Sequence, residues 1–458
     1  MFTDKSILLK DNPIQMNYGI AVADIDNDGA FEIFVASFGG PNLVLKWNGH
    51  NFINIADTKL ADIGKQAIGV AAGDIDGDGI EEIYVLNTDT FTGKKRFGDR
   101  LFDYHHGEWI DLFSLPEHQK AINLNSGRSV VCIDRKGSGL YGFFIANYGS
   151  PMCLYELNKF GHLKDVAAEA GLNLITGGRG IISLPIVSPY MDIFAANENG
   201  TNFLFRNRGD GTFTEIAEQC GILDQHHHGR GIAVLDANGN GLFDIVYGNW
   251  QGPHRLYLQT KPGYFQESAP PLMSVPTRIR NVIAADFDND GFAEIFFNNI
   301  GEPNRLFGWR DNKWEKLDTG DAWEPDGLGT GAAVGDFDGD GQLELIIAHG
   351  ESFAQPLSLY HPPKNDNNWL RVLPLTRYGS PARGAVCKII AGDRLQIRAI
   401  DAGSGYLCQM EPIAHFGLGS YPQVEQLEII WPDGVKIKME KPTINQLMRV
   451  PYPTKSSN

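Results

Sequence analysis

The run from Asp24 through Asp26, Asp28 and Gly29 to Glu32 returns with the same spacing at Asp74, Asp236, Asp286 and Asp336, on multiples of about fifty residues. One such run is compatible with a solvated Asp-Gly turn. Five copies on a fixed period require a repeat architecture, and they restrict the chain to folds in which one small unit recurs around or along an axis.

Each copy places oxygen-bearing side chains at positions 1, 3, 5 and 9, a backbone carbonyl at 7 and a glycine at 6 that permits a sharp turn. Such a loop suits the six to eight oxygen ligands that calcium accepts, whereas magnesium demands a stricter octahedron and keeps its waters. The expected ligands are Asp24, Asp26, Asp28, Ala30 and Glu32; Asp74, Asp76, Asp78, Ile80 and Glu82; and Asp236, Asn238, Asn240, Leu242 and Asp244. Asp286, Asp288, Asp290, Phe292 and Glu294, then Asp336, Asp338, Asp340, Gln342 and Glu344, complete the set, with position 7 acting through its carbonyl. About five calcium ions are expected, and no organic cofactor. The Asp236 loop carries two formal charges against four elsewhere and should bind most weakly. The flanks are apolar, β-branched or aromatic rather than helical, so each loop joins two strands of a hairpin.

Two degenerate units fill the gap between Asp74 and Asp236. One runs from Cys132 to Gly139, with Lys136 at the third ligand position, where an internal ion pair with Asp134 is expected in place of an ion; the other, from Ile181 to Asp192, keeps only its strands and closing acid. After each loop come an Asn/Gly-rich turn, a third strand such as Asn42–Trp47, and a fourth beginning near Phe52, Trp109, Leu163, Phe213, Phe265 and Trp314. That is six fourth strands for seven units, and Met1–Asp4 supplies the missing one. Four-stranded units with turns throughout indicate an all-β, seven-bladed β-propeller over residues 1–362, closed by its N-terminal strand. The period breaks near Asn367, so residues 367–452 read as a small C-terminal β domain, followed by a polar, disordered tail at 453–458.

The chain has 458 residues and a net charge of −17. Five divalent ions would add about +10 and leave roughly −7, so most of the imbalance belongs to the metal loops. No basic stripe with interleaved aromatics points to nucleic acid, and no apolar run is long enough to span a membrane. The five cysteines lack a framework spacing and are expected as buried thiols, with a Cys387–Cys408 pair the one alternative. Met1 leads directly into the closing strand without a signal peptide, so a cytoplasmic location is expected unless a secreted form has been trimmed. A monomer is expected.

Alignment of the units on the metal loop exposes a second pattern. Six residues before the first ligand stand Arg128, Arg230 and Arg280, with Arg179 equivalent within one residue; the other units have Tyr18, Ile68 and Thr330. These positions start the innermost strand, at the channel mouth opposite the metal loops. The turns reaching that mouth add Trp250, His254, Glu198, His349 and Glu351, with His226–His228 and Glu324 close by. Arg128, Arg179, Arg230, Arg280, Trp250 and His254 are therefore candidate ligand-binding residues for an anionic or aromatic small molecule or a protein partner. His228, Glu324 and His349 are candidate acid–base groups. The competing reading is a structural ring of arginine–carboxylate pairs plugging the channel.

The residues also carry a family resemblance. The Asp-rich repeats resemble FG-GAP repeats of integrin α-subunit propellers, and the segments 368–372, 382–385, 403–412, 415–419 and 431–434 resemble an ASPIC and UnbV domain. With Tyr247–Leu258 and Ala348–Ser352, they make nearly the whole chain similar to the cartilage acidic protein family and its bacterial homologues. The resemblance implies a calcium-binding propeller and leaves two functions open. One is a calcium-dependent binding module; the other is a calcium-stabilised enzyme of natural-product biosynthesis that forms rings or carbon–carbon bonds without an organic cofactor.

Overall fold

The computed structural model describes residues 1–453; the expected tail lies, beyond Pro453, outside the described residues. Seven antiparallel four-stranded blades surround a channel. The first is Asn17–Ala23, Glu32–Ser37, Leu43–Trp47 and Phe52–Asn54, and the same order recurs in every later blade. Inner strands such as Ala67–Gly73 and Gly329–Gly335 are buried along their whole length, because both faces pack on neighbouring blades, and their Ala, Gly and Val residues permit that approach. Each inner strand packs on the next, and the seventh returns to the first.

The last blade is completed from the other end of the chain. Thr3 pairs with His361 and Asp4 with Tyr360, so the N-terminal strand closes the ring with main-chain hydrogen bonds. Phe2 anchors it edge-on against Phe287 and Phe296, with centroids 4.9 and 6.1 Å away. Blades three and four share one further pairing, Tyr148 with Gly177 and Pro151 with Ile175, which extends their hairpin arms at the channel mouth.

The C-terminal strands form two sheets around their own core. One has three strands, with Asn368–Pro374 between Ala414–Gly419 and Leu447–Val450; the other has four, ordered Arg394–Ala399, Val386–Ala391, Gln426–Ile430 and Lys436–Glu440. This unit sits on the face that carries the acidic loops. Arg383, fully buried, is held by Glu81, with Nη2 3.0 Å from Oε2, and Arg371 Nη1 lies 2.8 Å from Asp336 Oδ2. Both pairs cross between the two units.

The segment Ala402–Glu411 leaves that unit and runs down the channel. Its backbone bonds the inner strands directly: Cys132 N–H donates to Ala402 O at 2.9 Å, Ile232 N–H to Gly405 O at 2.8 Å and Gln409 N–H to Ile20 O at 2.8 Å. The Gln409 amide completes a reciprocal pair with the Ala72 backbone. Gly405 is required by both conformation and space, since its φ is +64° and an added Cβ would lie 2.2 Å from Asn281 Oδ1. All five cysteines are free and buried; Cys408 lies in this segment and Cys387 in the C-terminal core.

Candidate functional site

The acidic loops share one construction. In the first, Gly29 N–H donates to Asp24 Oδ2 at 2.9 Å, Ala30 N–H to Asp28 Oδ1 at 2.8 Å and Ile25 N–H to Glu32 Oε2 at 2.8 Å. The same three bonds recur at Asp74, Asp236, Asp286 and Asp336. Asp24, Asp286 and Asp336 thus spend one oxygen on the turn and keep the other, whereas Asp74 and Asp236 accept from loop N–H groups with both. Asp24 Oδ1, Asp286 Oδ1, Asp336 Oδ1, Glu32 Oε1 and Glu344 Oε1 are buried with no hydrogen-bond partner, an arrangement that fits a cation. The turn itself needs glycine at position 6, where φ is +90° at Gly29 and +93° at Gly79.

Electrostatics agree with that fit. Burial first, then the neighbouring Asp28 and Asp26, pushes Asp24 up to about 6; burial and adjacent carboxylates likewise raise Asp74 and Asp336 to about 6 and Glu32 to about 7. Asp244 rises to about 7, from burial ahead of Asp236. Side-chain cations approach some of these oxygens. Lys46 places its ammonium against Asp26, 2.7 Å from Asp28 and 3.3 Å from Glu32, while Arg310 reaches Asp288, Asp290 and Glu294 within 3.0 Å.

The degenerate loops satisfy their acids differently. Asp134 accepts from Ser138 N–H at 2.9 Å and Gly139 N–H at 2.6 Å, and Asp192 accepts from the backbone N–H groups of Ile186, Val187 and Ser188. The expected internal Lys136–Asp134 ion pair does not form. Lys136 Nζ turns to Glu156 at 3.5 Å, and Arg135 takes Glu156 and Glu169, because loop N–H groups already occupy Asp134.

At the opposite mouth, Arg128, Arg179, Arg230 and Arg280 converge on a cavity of about 350 Å³. Glu198 accepts from Arg179 Nε at 2.7 Å and from Arg230 Nη2 at 2.5 Å; Glu351 accepts from Arg280 Nη2 at 2.5 Å. Arg128 has no carboxylate partner among the described residues, and its guanidinium donates to the carbonyls of Thr90 and Phe91. Four guanidinium groups against two carboxylates leave an excess of two positive charges. The Nε atoms of Arg128, Arg230 and Arg280 are buried without partners.

Aromatic rings hold these groups. Trp250 lies 5.5 Å from the Arg230 guanidinium and 5.0 Å from that of Arg280, and Phe91 lies 5.0 and 5.3 Å from those of Arg128 and Arg179. The floor is Tyr406, carried there by the channel segment, with Arg179 Nη1 3.2 Å from its hydroxyl. Burial alone raises the Tyr406 phenol, yet the surrounding Arg179, Arg280, Arg230 and Arg128 outweigh it and hold the group below its usual range. Burial, reinforced by Arg179, lowers Arg230 to about 10.

The other expected residues lie elsewhere. His254 is wholly buried; its Nδ1 accepts from Asn249 N–H and its Nε2 faces Thr277 Oγ1 at 2.9 Å, so it braces the turn behind Trp250. Glu324 and His349 pair with each other at 3.2 Å, and Glu324 also accepts from Ser358 and Tyr360, inside blade seven and away from the cavity. His228 Nδ1 contacts Glu198 O outside the cavity lining. Phe91 and Tyr406 were not anticipated as lining residues. A signal for Phe91 exists in the long insertion between Asn87 and Arg100, but none exists for Tyr406.

Among the described residues no helix is long and apolar enough to cross a membrane. Residues 17–85, 189–247 and 236–297 match the FG-GAP-like repeat family, and residues 376–457 match ASPIC and UnbV. Cartilage acidic protein 1 of Xenopus tropicalis is 51% identical over 485 residues, covering 96% of this chain and 74% of its own length. The Homo sapiens and Mus musculus proteins of that name are each 48% identical over 96% of this chain, which spans 73% and 75% of their lengths.

Proposed function

The chain belongs to the cartilage acidic protein family, and we propose that it is a calcium-dependent binding module that takes an anionic small molecule, or the acidic group of a partner, at the arginine-lined mouth. The observation that carries this reading is the uncompensated charge there: four converging arginines, two carboxylates, and aromatic faces that hold the guanidinium planes. Guanidinium groups recognise carboxylate, phosphate or phenolate oxygens through charge-assisted hydrogen bonds. An aromatic anion would also find Trp250 and Phe91 on the walls.

In the same reading cations occupy the five acidic loops, calcium in those whose ligands are all oxygens. Its part is structural: it neutralises carboxylates that otherwise repel one another and fixes the hairpins from which the inner strands run to the mouth. Binding is preferred to the cofactor-free enzyme because Glu198 and Glu351 are tied to arginines and His349 and Glu324 are tied to each other, which leaves no histidine or glutamate among the described lining residues free to move a proton in the cavity.

Titration of the full chain with a panel of small anions, including phosphate, benzoate and 4-hydroxybenzoate, tests the reading. At least one should bind, and Arg128→Ala or Arg280→Ala should weaken it on the order of tenfold or more while calcium content and melting temperature hold. Lower stability without any change in anion binding would instead assign the arginines to a structural plug.

A further inference from the structure

The five acidic loops share a backbone but meet different residues across the sheet. One residue beyond the last paired position, the third strands bring Lys46, Asp103, Leu258, Gly308 and His361 alongside the closing acid. Only blade seven offers an imidazole at that position. Asp338, Asp340, Glu344 and His361 each present a ligand atom, and all four atoms lie within 4.8 Å of one another.

Two observations point to a ligand. Glu344 is 4% exposed, yet its Oε1 has no hydrogen-bond partner. His361 Nδ1 lies 2.5 Å from its neighbouring carbonyl, Pro362 O, a contact that requires Nδ1 to carry the proton. Its Nε2 then faces Asp340 Oδ2 and Glu344 Oε1, each 3.3 Å away. A dication standing in place of a proton on Nε2 would bond to all three atoms. Fixing one ring nitrogen on a backbone carbonyl so that the other is free for a metal is how ligating histidines are oriented.

Arg371 lies 2.8 Å from Asp336 Oδ2, the oxygen already used by the turn, and Asp336 Oδ1 stays without a partner. An imidazole among the ligands suits calcium poorly and suits a borderline divalent ion well. A cavity of about 470 Å³, bordered by Thr3, Lys5 and Leu8, opens directly onto the four ligands and provides access.

We infer that blade seven binds a borderline transition-metal dication, zinc in preference to calcium, through Asp338, Asp340, Glu344 and His361. The inference rests on the reading of these loops as cation sites. Because His361 pairs with Thr3, such an ion sits on the seam where the two ends of the propeller meet and stabilises ring closure.

The test strips the full chain with a chelator, returns it to excess calcium with stoichiometric zinc, and measures the metal content. One zinc per chain should be retained. His361→Gln should weaken it by ~10–100-fold while calcium at the other loops is unchanged, and a His226→Gln/His228→Gln control should keep it. His361→Asp, which copies Asp103 of blade two, should exchange zinc for calcium at this site. Calcium retained with no zinc in the wild type, or zinc retained equally by His361→Gln, would overturn the inference; zinc retained without any calcium would overturn the calcium reading and leave this one standing.

Discussion

Blades two and three are neighbours with the same strands and the same first-position acid, but their loops solve one electrostatic problem in opposite ways. In blade three Asp134 is saturated by Ser138 and Gly139 N–H groups, and no further acid follows it in the loop. In blade two Asp74, Asp76, Asp78 and Glu82 crowd together, and Asp103 from the third strand joins them. The hairpin therefore does not need an ion in order to form. In the proposed reading an ion is needed only where the sequence supplies more carboxylates than the turn can satisfy.

The sharpest way to break this comparison is to remove the cations. Exhaustive chelation should lower the melting temperature on the order of 10 °C, since several sites lose binding free energy together. An unchanged melting curve would mean that the acidic loops are as self-sufficient as those of blades three and four. Partial chelation should empty the Asp236 loop first, because it carries two formal charges against four in blade two.

A second effect, smaller and of defined sign, is in pH. Asp24, Asp74 and Asp336 titrate near 6 and Glu32 and Asp244 near 7 in the folded, metal-free chain, above their ordinary values. The folded state thus holds these protons more tightly than the unfolded one. Metal-free stability is fully present below about pH 4 and is lost as the pH rises through 6 to 7. Chelation should cost most at pH 8 and least near pH 5, measured by denaturant unfolding at both. Equal costs at the two values would detach the loops from the stability of the blades.

Single substitutions sharpen the contrast further. Asp134→Asn should cost about 1–3 kcal/mol with or without calcium, because it disturbs a buried acid bonded to backbone N–H groups. Asp76→Asn should reduce stability only when calcium is present, and the measured calcium content should fall by one. The smallest effect belongs to Lys136, whose exposed ammonium meets only Glu156: Lys136→Ala should change stability by less than about 0.5 kcal/mol. A loss well above 1 kcal/mol would restore Lys136 as the internal cation of its loop.

The repeat, the metal-loop pattern and the closing strand were legible because each is written locally. Spacing sets which loop oxygens face inward, and apolar runs such as Ile33–Ala36 and Leu345–Ala348 mark buried strands. The arginine ring was legible for the same reason, since Arg128, Arg179, Arg230 and Arg280 occupy one position of a repeated unit and a propeller brings equal positions to one circle. In the C-terminal unit the place of strand Ala414–Gly419 beside Asn368–Pro374 depends on a partner distant in sequence.

What only the tertiary structure decided is which charges meet. Sequence spacing put Glu324, His349 and His254 near the mouth, but Ser358, Tyr360 and Thr277, brought in by neighbouring strands and turns, draw them into buried networks. Lys46, Arg310 and His361 reach the metal loops from the third strand, and Tyr406 reaches the arginines from a separate unit after crossing the channel. The sequence by itself determined the repeated backbone and its ligand types, because short-range geometry and hydrophobic period are local properties. The electrostatic character of each site was decided by contacts between residues tens to hundreds of positions apart, where burial and close approach, rather than spacing, set the balance of charge.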